Sequence, residues 1–253
     1  MDVAFYLPGG VPLYTFSLLL GAGASLGLIW VAQQTPRNRV NGQVNAGLLT
    51  LLGSLLGGRA AFVGLNWPYF QTRILEIPQI WLGGFVWPGA LGGALLSLTL
   101  IAALTRQPLG TLADGLLPLV ASVSVSIWLG CWIDGIAYGP QVDAWWGVPA
   151  RDEWGEIAYR WPLQPLGALL TLAVFWFLEV FKQRPWFNIP GRVFSLGVGG
   201  LSLILFSLSF LRVDPAPFWR GQRLETWTAL GFITLAGIAL LTTFIRRGKN
   251  SDG

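Results

Sequence analysis

Six side chains have both the chemistry and the setting to do work: Arg59, Asp114, Cys131, Asp134, Glu179 and Arg212. Each lies within or beside a long apolar run, where an ionised group at a helix centre costs about 2.5 to 3.5 kcal/mol unless it meets a partner. Arg59, in Gly57-Gly58-Arg59, and Arg212 fall toward the same side of the apolar runs. A guanidinium forks onto phosphate through two N–H groups, so two of them at one depth would clamp a phospholipid headgroup. Equally, each can snorkel outward or pair with an acid such as Asp134 or Asp214. Asp114 and Glu179 lie near the opposite ends of their runs, where a carboxylate can reach water.

The chain contains no histidine and a single cysteine. Without imidazole, the usual proton shuttle at neutral pH and the commonest zinc ligand are both missing, so no metal or cofactor is expected. One cysteine also excludes an internal disulfide. Cys131 has apolar neighbours and no histidine to activate it, which points to packing rather than nucleophilic attack. By elimination Asp134 is the general-base candidate, as a carboxylate placed at the edge of hydrocarbon.

The elements that must position these residues are membrane spans. Of 253 residues, 53% are hydrophobic and 11% charged, against about a quarter charged in a soluble domain. The apolar residues form runs of about 20, the length at which a helix crosses a hydrocarbon core about 30 Å thick. They do not alternate as the strands of a membrane barrel would. The runs predict a single all-α membrane domain over residues 1–253 with seven transmembrane helices, at about 13–33, 44–65, 87–104, 112–133, 163–181, 193–211 and 226–245. Many of the 14 tryptophans stand at the ends of these runs, the depth of lipid headgroups. Residues 1–12 hold Asp2 and no lysine or arginine, so the first run reads as a retained helix rather than a cleaved leader.

Charge predicts orientation. Arg37, Arg39, Arg106, Lys182, Arg184, Arg192, Arg246, Arg247 and Lys249 follow the first, third, fifth and seventh runs. Those segments are expected in the cytoplasm, with the N-terminus outside and the C-terminus inside. The opposite segments mix Glu76, Asp143, Asp152, Glu153, Glu156 and Glu225 with comparable numbers of arginines. The longest of them, 134–162, is expected as a loop on the outer membrane surface. The basic residues therefore mark orientation, and no nucleic-acid partner is expected. A transporter or channel would place paired charges or broken helices near the midplane, and the charges here are peripheral. Repeated Gly pairs, such as Gly57-Gly58 and Gly92-Gly93, predict close helix packing.

Three stretches, in one order, resemble the prolipoprotein diacylglyceryl transferase family. Gly57-Gly58-Arg59, Leu75-Glu76-Ile77, Ile80-Trp81, Gly83-Gly84 and Gly89-Ala90-Leu91-Gly92-Gly93 are similar to its GGR, LEI, IW-x-GG and HGG-x-x-GG series. Ala113-Asp114, Pro118-Leu119, Gly130, Asp134-Gly135, Tyr138-Gly139 and Trp146-Gly147-Val148 follow its signature segment, and Pro162 and Gln164 its HP-x-Q. Arg212-Val213-Asp214 resembles its R-x-P-D element. The resemblance implies a seven-helix enzyme of the bacterial plasma (inner) membrane. It would move a diacylglyceryl group from phosphatidylglycerol to the cysteine of a prolipoprotein signal peptide. Arginines, here Arg59 and Arg212, would hold the headgroup while a histidine assists deprotonation of the thiol.

The departures fall on that chemistry. Trp87 stands at the histidine of HGG and Pro88 at its first glycine, while Trp161 stands at the histidine of HP-x-Q. In the signature segment Trp128, Cys131 and Ile136 replace an arginine, an asparagine and a glutamate. Tryptophan for arginine removes the charge and fills the space. Two readings follow: a transferase working with Arg59, Arg212 and Asp134, or a non-catalytic relative that binds a phospholipid or serves as a scaffold subunit.

Overall fold

The structure, a computed structural model, describes residues 3–7 and 11–251. Strands β1 (Val3–Leu7) and β2 (Val11–Tyr14) pair antiparallel and lead into helix α1 (Thr15–Gln34). Next come α2 (Val40–Leu65), the short α3 (Trp67–Phe70) and two 3-10 turns, Ile74–Glu76 and Ile80–Leu82. Helices α4 (Trp87–Thr105), α5 (Leu109–Gly115) and α6 (Leu117–Ile133) follow. A hairpin of β3 (Val148–Arg151) and β4 (Ile157–Arg160) precedes α7 (Leu163–Phe181) and α8 (Arg192–Ser209). A last hairpin, β5 (Phe218–Trp219) with β6 (Gln222–Arg223), opens α9 (Leu224–Ser251).

Six helices are long and apolar enough to cross a membrane, and α5 with α6 makes a seventh candidate. That seventh span, expected as one helix over 112–133, is bent by 51°. Pro118 lies in the first turn of α6; its ring meets the preceding carbonyls and it offers no N–H, so a straight helix cannot pass through it. The fold is mostly helical, as expected, with three short two-stranded hairpins added among the described residues. Their strands are two to five residues long, too short to register against apolar runs of about 20. The last helix continues past the expected 245 to Ser251.

Large apolar side chains such as Leu26, Leu48, Leu96, Leu172, Trp176 and Leu241 point away from the protein. A helix that is apolar on its outer face as well as its inner one belongs in lipid. The driving force for helix association there is close packing, which small residues permit. The α2–α4 contact shows it: a Cβ on Gly93 would lie 2.2 Å from the Gly53 carbonyl oxygen, and one on Gly57 2.4 Å from that of Gly89. Gly23 and Gly27 do the same for α1 against Ser122, Ser126 and Leu119 of α6.

At the end where α8 begins, Asp114 of α5 accepts from Gly191 N at 2.7 Å and Phe194 N at 2.8 Å. It thus caps α8 from another helix, satisfying N–H groups that helix starts leave open. Glu179 accepts from Gln34 and Lys182, both at 2.6 Å, and joins α7 to α1. Arg192, fully buried, reaches the Trp186 carbonyl at 2.6 Å and Thr243 of α9 at 3.0 and 3.1 Å.

Candidate functional site

Arg59 sits on α2 with only 7% of its surface exposed. Its Nε donates to Ile77 O at 2.9 Å, Nη1 to Gly83 O at 2.7 Å and Nη2 to Glu76 O at 2.7 Å. Its charge also lies over the rings of Phe62 and Phe70. The loop it holds turns through Gly83 and Gly84 at φ 79° and 78°, a conformation that side-chain-bearing residues rarely take. At Gly84 a Cβ would meet Phe62 at 2.5 Å. Gly57-Gly58-Arg59, Leu75-Glu76-Ile77 and Gly83-Gly84, read above as separate motifs, are therefore one unit: a cation and the carbonyls that cradle it.

Arg212 belongs to a different network, at the junction of α8 and α9. Its Nε and Nη2 fork onto Asp214 at 2.9 and 2.6 Å, and its Nη1 lies 2.7 Å from Glu225. Arg223 joins from the other side, with Nη2 3.0 Å from Asp214 Oδ1 and Nη1 3.0 Å from the Arg212 carbonyl. Burial works against the charge on Arg212, but the Asp214 hydrogen bonds and the Glu225 charge outweigh it and hold the proton more firmly than usual. Of the alternatives weighed from sequence, Arg212 takes the pairing with Asp214. The fork of Arg59 is taken up by carbonyls and that of Arg212 by carboxylates.

Asp134 caps the end of α6, its N–H donating to Gly130 O at 3.0 Å, and Ile136 N donates to Cys131 O at 2.9 Å. The same region is laced together by backbone contacts. Val213 N donates to Tyr138 O at 3.1 Å, which joins the Arg212-Val213-Asp214 element to the signature segment. The fully buried Gln164 donates to Ile136 O at 3.0 Å. Ile136 thus contributes its carbonyl to this junction, while its side chain is exposed. In the 134–162 segment, Arg160 and Asp152, both buried, pair at 3.0 Å, and Arg160 lies over the Tyr138 ring.

The tryptophans that the resemblance sets at the family's polar positions are packed. Trp128 is buried with Leu163, Ala168, Ile204 and Leu208, and a Cβ on Gly167 would lie 2.5 Å from its indole. Cys131 packs against the same cluster. Trp87 stacks obliquely on Phe232 of α9 at 5.8 Å, its indole nitrogen buried with no acceptor among the described residues. Trp161 meets Trp146 edge-on at 4.7 Å.

Sequence reasoning missed Arg223 and Glu225 as partners of Arg212, and Asp152 with Arg160 as a buried pair. All four were counted as loop charges. No spacing rule separates them from solvated ones, because hairpin turns at Gly155 and Gly221, both with φ near +86° or +78°, decide what they face.

The sequence profile of the prolipoprotein diacylglyceryl transferase family matches residues 2–243. The chain is 27% identical to the phosphatidylglycerol--prolipoprotein diacylglyceryl transferase of Thermosynechococcus vestitus, with 85% of each chain covered. It is 27% identical to that of Streptococcus suis over 99% of this chain and 94% of the relative. To that of Cupriavidus pinatubonensis it is 29% identical over 79% and 73%. Helices that suit a membrane, a cradled arginine linking three motifs, and an end-to-end profile match converge: the chain belongs to the prolipoprotein diacylglyceryl transferase family.

Proposed function

We propose that this protein binds phosphatidylglycerol in the bacterial plasma membrane and passes its diacylglyceryl group to the cysteine of a prolipoprotein signal peptide. In that reaction the cysteine sulfur attacks the glyceryl carbon that carries the phosphate. A C–S bond forms, the C–O bond breaks, and glycerol phosphate leaves with the electron pair while the thiol proton passes to a base. Arg212 stabilises the departing phosphate and Asp134 takes the proton. The observation that supports this reading is the 3.1 Å bond from Val213 N to Tyr138 O, which ties the Arg212-Val213-Asp214 element to the segment that Asp134 opens. In this reading the N-terminus and the 134–162 segment face outward, where phosphatidylglycerol and the precursor meet, and Arg59 holds the wall of the site.

A second reading keeps lipid binding and drops the transfer. It is favoured by Trp87 and Trp128, whose indoles fill the positions of the family's histidine and arginine. Losing a general base costs about a hundred- to ten-thousandfold in rate. Expression in cells depleted of their own transferase separates the two, with lipoprotein maturation followed by gel shift. Maturation that disappears with Arg212→Ala establishes the transferase. No maturation, from protein shown to be folded in the membrane, establishes the non-catalytic relative.

A further inference from the structure

The four charges around Arg212 sum to zero: Arg212 and Arg223 against Asp214 and Glu225. While both carboxylates stay in place, each of the three guanidinium nitrogens of Arg212 already faces a carboxylate oxygen. The two are not held equally. Asp214 is 7% exposed, accepts from Arg212 through both oxygens, and is bonded again by Arg223, which is itself anchored on the carbonyls of Arg212 and Asp214. Glu225 touches the group through Oε2 alone, 2.7 Å from Arg212 Nη1, in an ionic contact without hydrogen-bond alignment. Its side chain is 23% exposed, the most open of the four. It also stands in the first turn of α9, where unpaired N–H groups and the helix dipole favour an anion.

We propose that Glu225 is a built-in occupant of a phosphate position on Arg212. The phosphodiester of an anionic glycerophospholipid binds by displacing it, and the Arg212–Asp214 fork stays intact. This rests on the reading of Arg212 as a headgroup ligand. The exchange conserves charge at Nη1, since one monoanion leaves as another arrives. The Glu225 side chain is 23% exposed although its Oε2 is buried, so a swing outward returns that oxygen to water. Asp214 cannot make that exchange, because its departure would leave Arg223 buried without its carboxylate.

The test is a titration of phosphatidylglycerol into nanodiscs of phosphatidylcholine holding the full chain, with bound lipid counted by native mass spectrometry. Glu225→Gln removes the competing anion and is expected to tighten phosphatidylglycerol binding by about three- to tenfold. Glu225→Asp, which keeps the charge but withdraws it by one methylene, is expected to tighten it too. Asp143→Asn, an exposed charge elsewhere on the same segment type, is expected to change nothing. Equal binding by the unaltered chain and Glu225→Gln, or tightening by Glu225→Gln without Glu225→Asp, overturns the displacement while leaving Arg212 as a ligand. Equal binding by the unaltered chain and Arg212→Gln defeats the headgroup reading itself and this inference with it. If added glycerol phosphate competes at millimolar levels in Glu225→Gln and less so in the unaltered chain, displacement stands with a soluble phosphate ester as occupant.

Discussion

Arg59→Met tests whether this arginine is a clasp for the 74–84 loop or a free ligand for lipid. Methionine keeps the stem, which packs near Phe62 and Phe70, and removes the donors to Glu76, Ile77 and Gly83. A hydrogen bond to a charged group contributes about 1.5 to 3 kcal/mol. The three carbonyls belong to residues that are only partly buried, so water recovers part of that loss. A net loop destabilisation of about 2 to 3 kcal/mol is expected, which is roughly a 30- to 150-fold rise in local opening. The readout is amide hydrogen exchange in detergent or nanodiscs. Ile77 N, bonded to Ile74 O, Gly83 N, bonded to Ile80 O, and Val86 N, bonded to Gly58 O, are the reporters. Their exchange should accelerate by that factor while amides in the middle of α7 stay slow. Arg59→Lys should fall between, since an ammonium supplies charge but not the planar fork. Unchanged exchange at the three reporters in Arg59→Met would refute the clasp and return Arg59 to the lipid.

Gly93→Val should prevent recovery of monodisperse protein in size-exclusion chromatography, because its Cβ would sit 2.2 Å from Gly53 O; Gly92→Ala, with nothing within 4 Å, should behave as the unaltered chain. Asp114→Ala removes the acceptor for two amides at the start of α8 and should lower stability by about 1 to 2 kcal/mol, read as a fall in thermal unfolding temperature. Trp128→Arg, which brings in the arginine that the resemblance expects there, should neither accumulate nor complement. It would put a guanidinium into the cluster of Leu163, Ala168, Ile204 and Leu208, a burial costing several kcal/mol without a partner; active, abundant Trp128→Arg protein would show that the pocket survives beneath the indole.

The apolar helices and the family were legible in the sequence because each depends on short-range pattern. A run of about 20 apolar residues must be helical in lipid, where backbone groups can only bond internally. The glycines of α2 and α4 carry their meaning locally in the same way, since a missing Cβ permits close approach wherever the helices meet. Pro118 was also visible, but how far it bends the α5–α6 span depends on what packs around the break. Apart from Asp214, which lies two residues from Arg212 and was readable as its partner, the partners of the charges were not legible. Arg59 faces carbonyls 17 to 25 residues away, Asp114 caps a helix 77 residues on, and Arg212 finds Glu225 across a hairpin. A buried charge takes whichever oxygen the folded chain brings within about 3 Å, and that proximity is created by packing rather than by spacing. The sequence by itself therefore determined the solvent, the helices and the family, through the energetics of apolar runs and small residues. Only the tertiary structure decided which arginine is a clasp, which is paired, and that the tryptophans at the replaced positions are packed rather than empty, because those are consequences of contact.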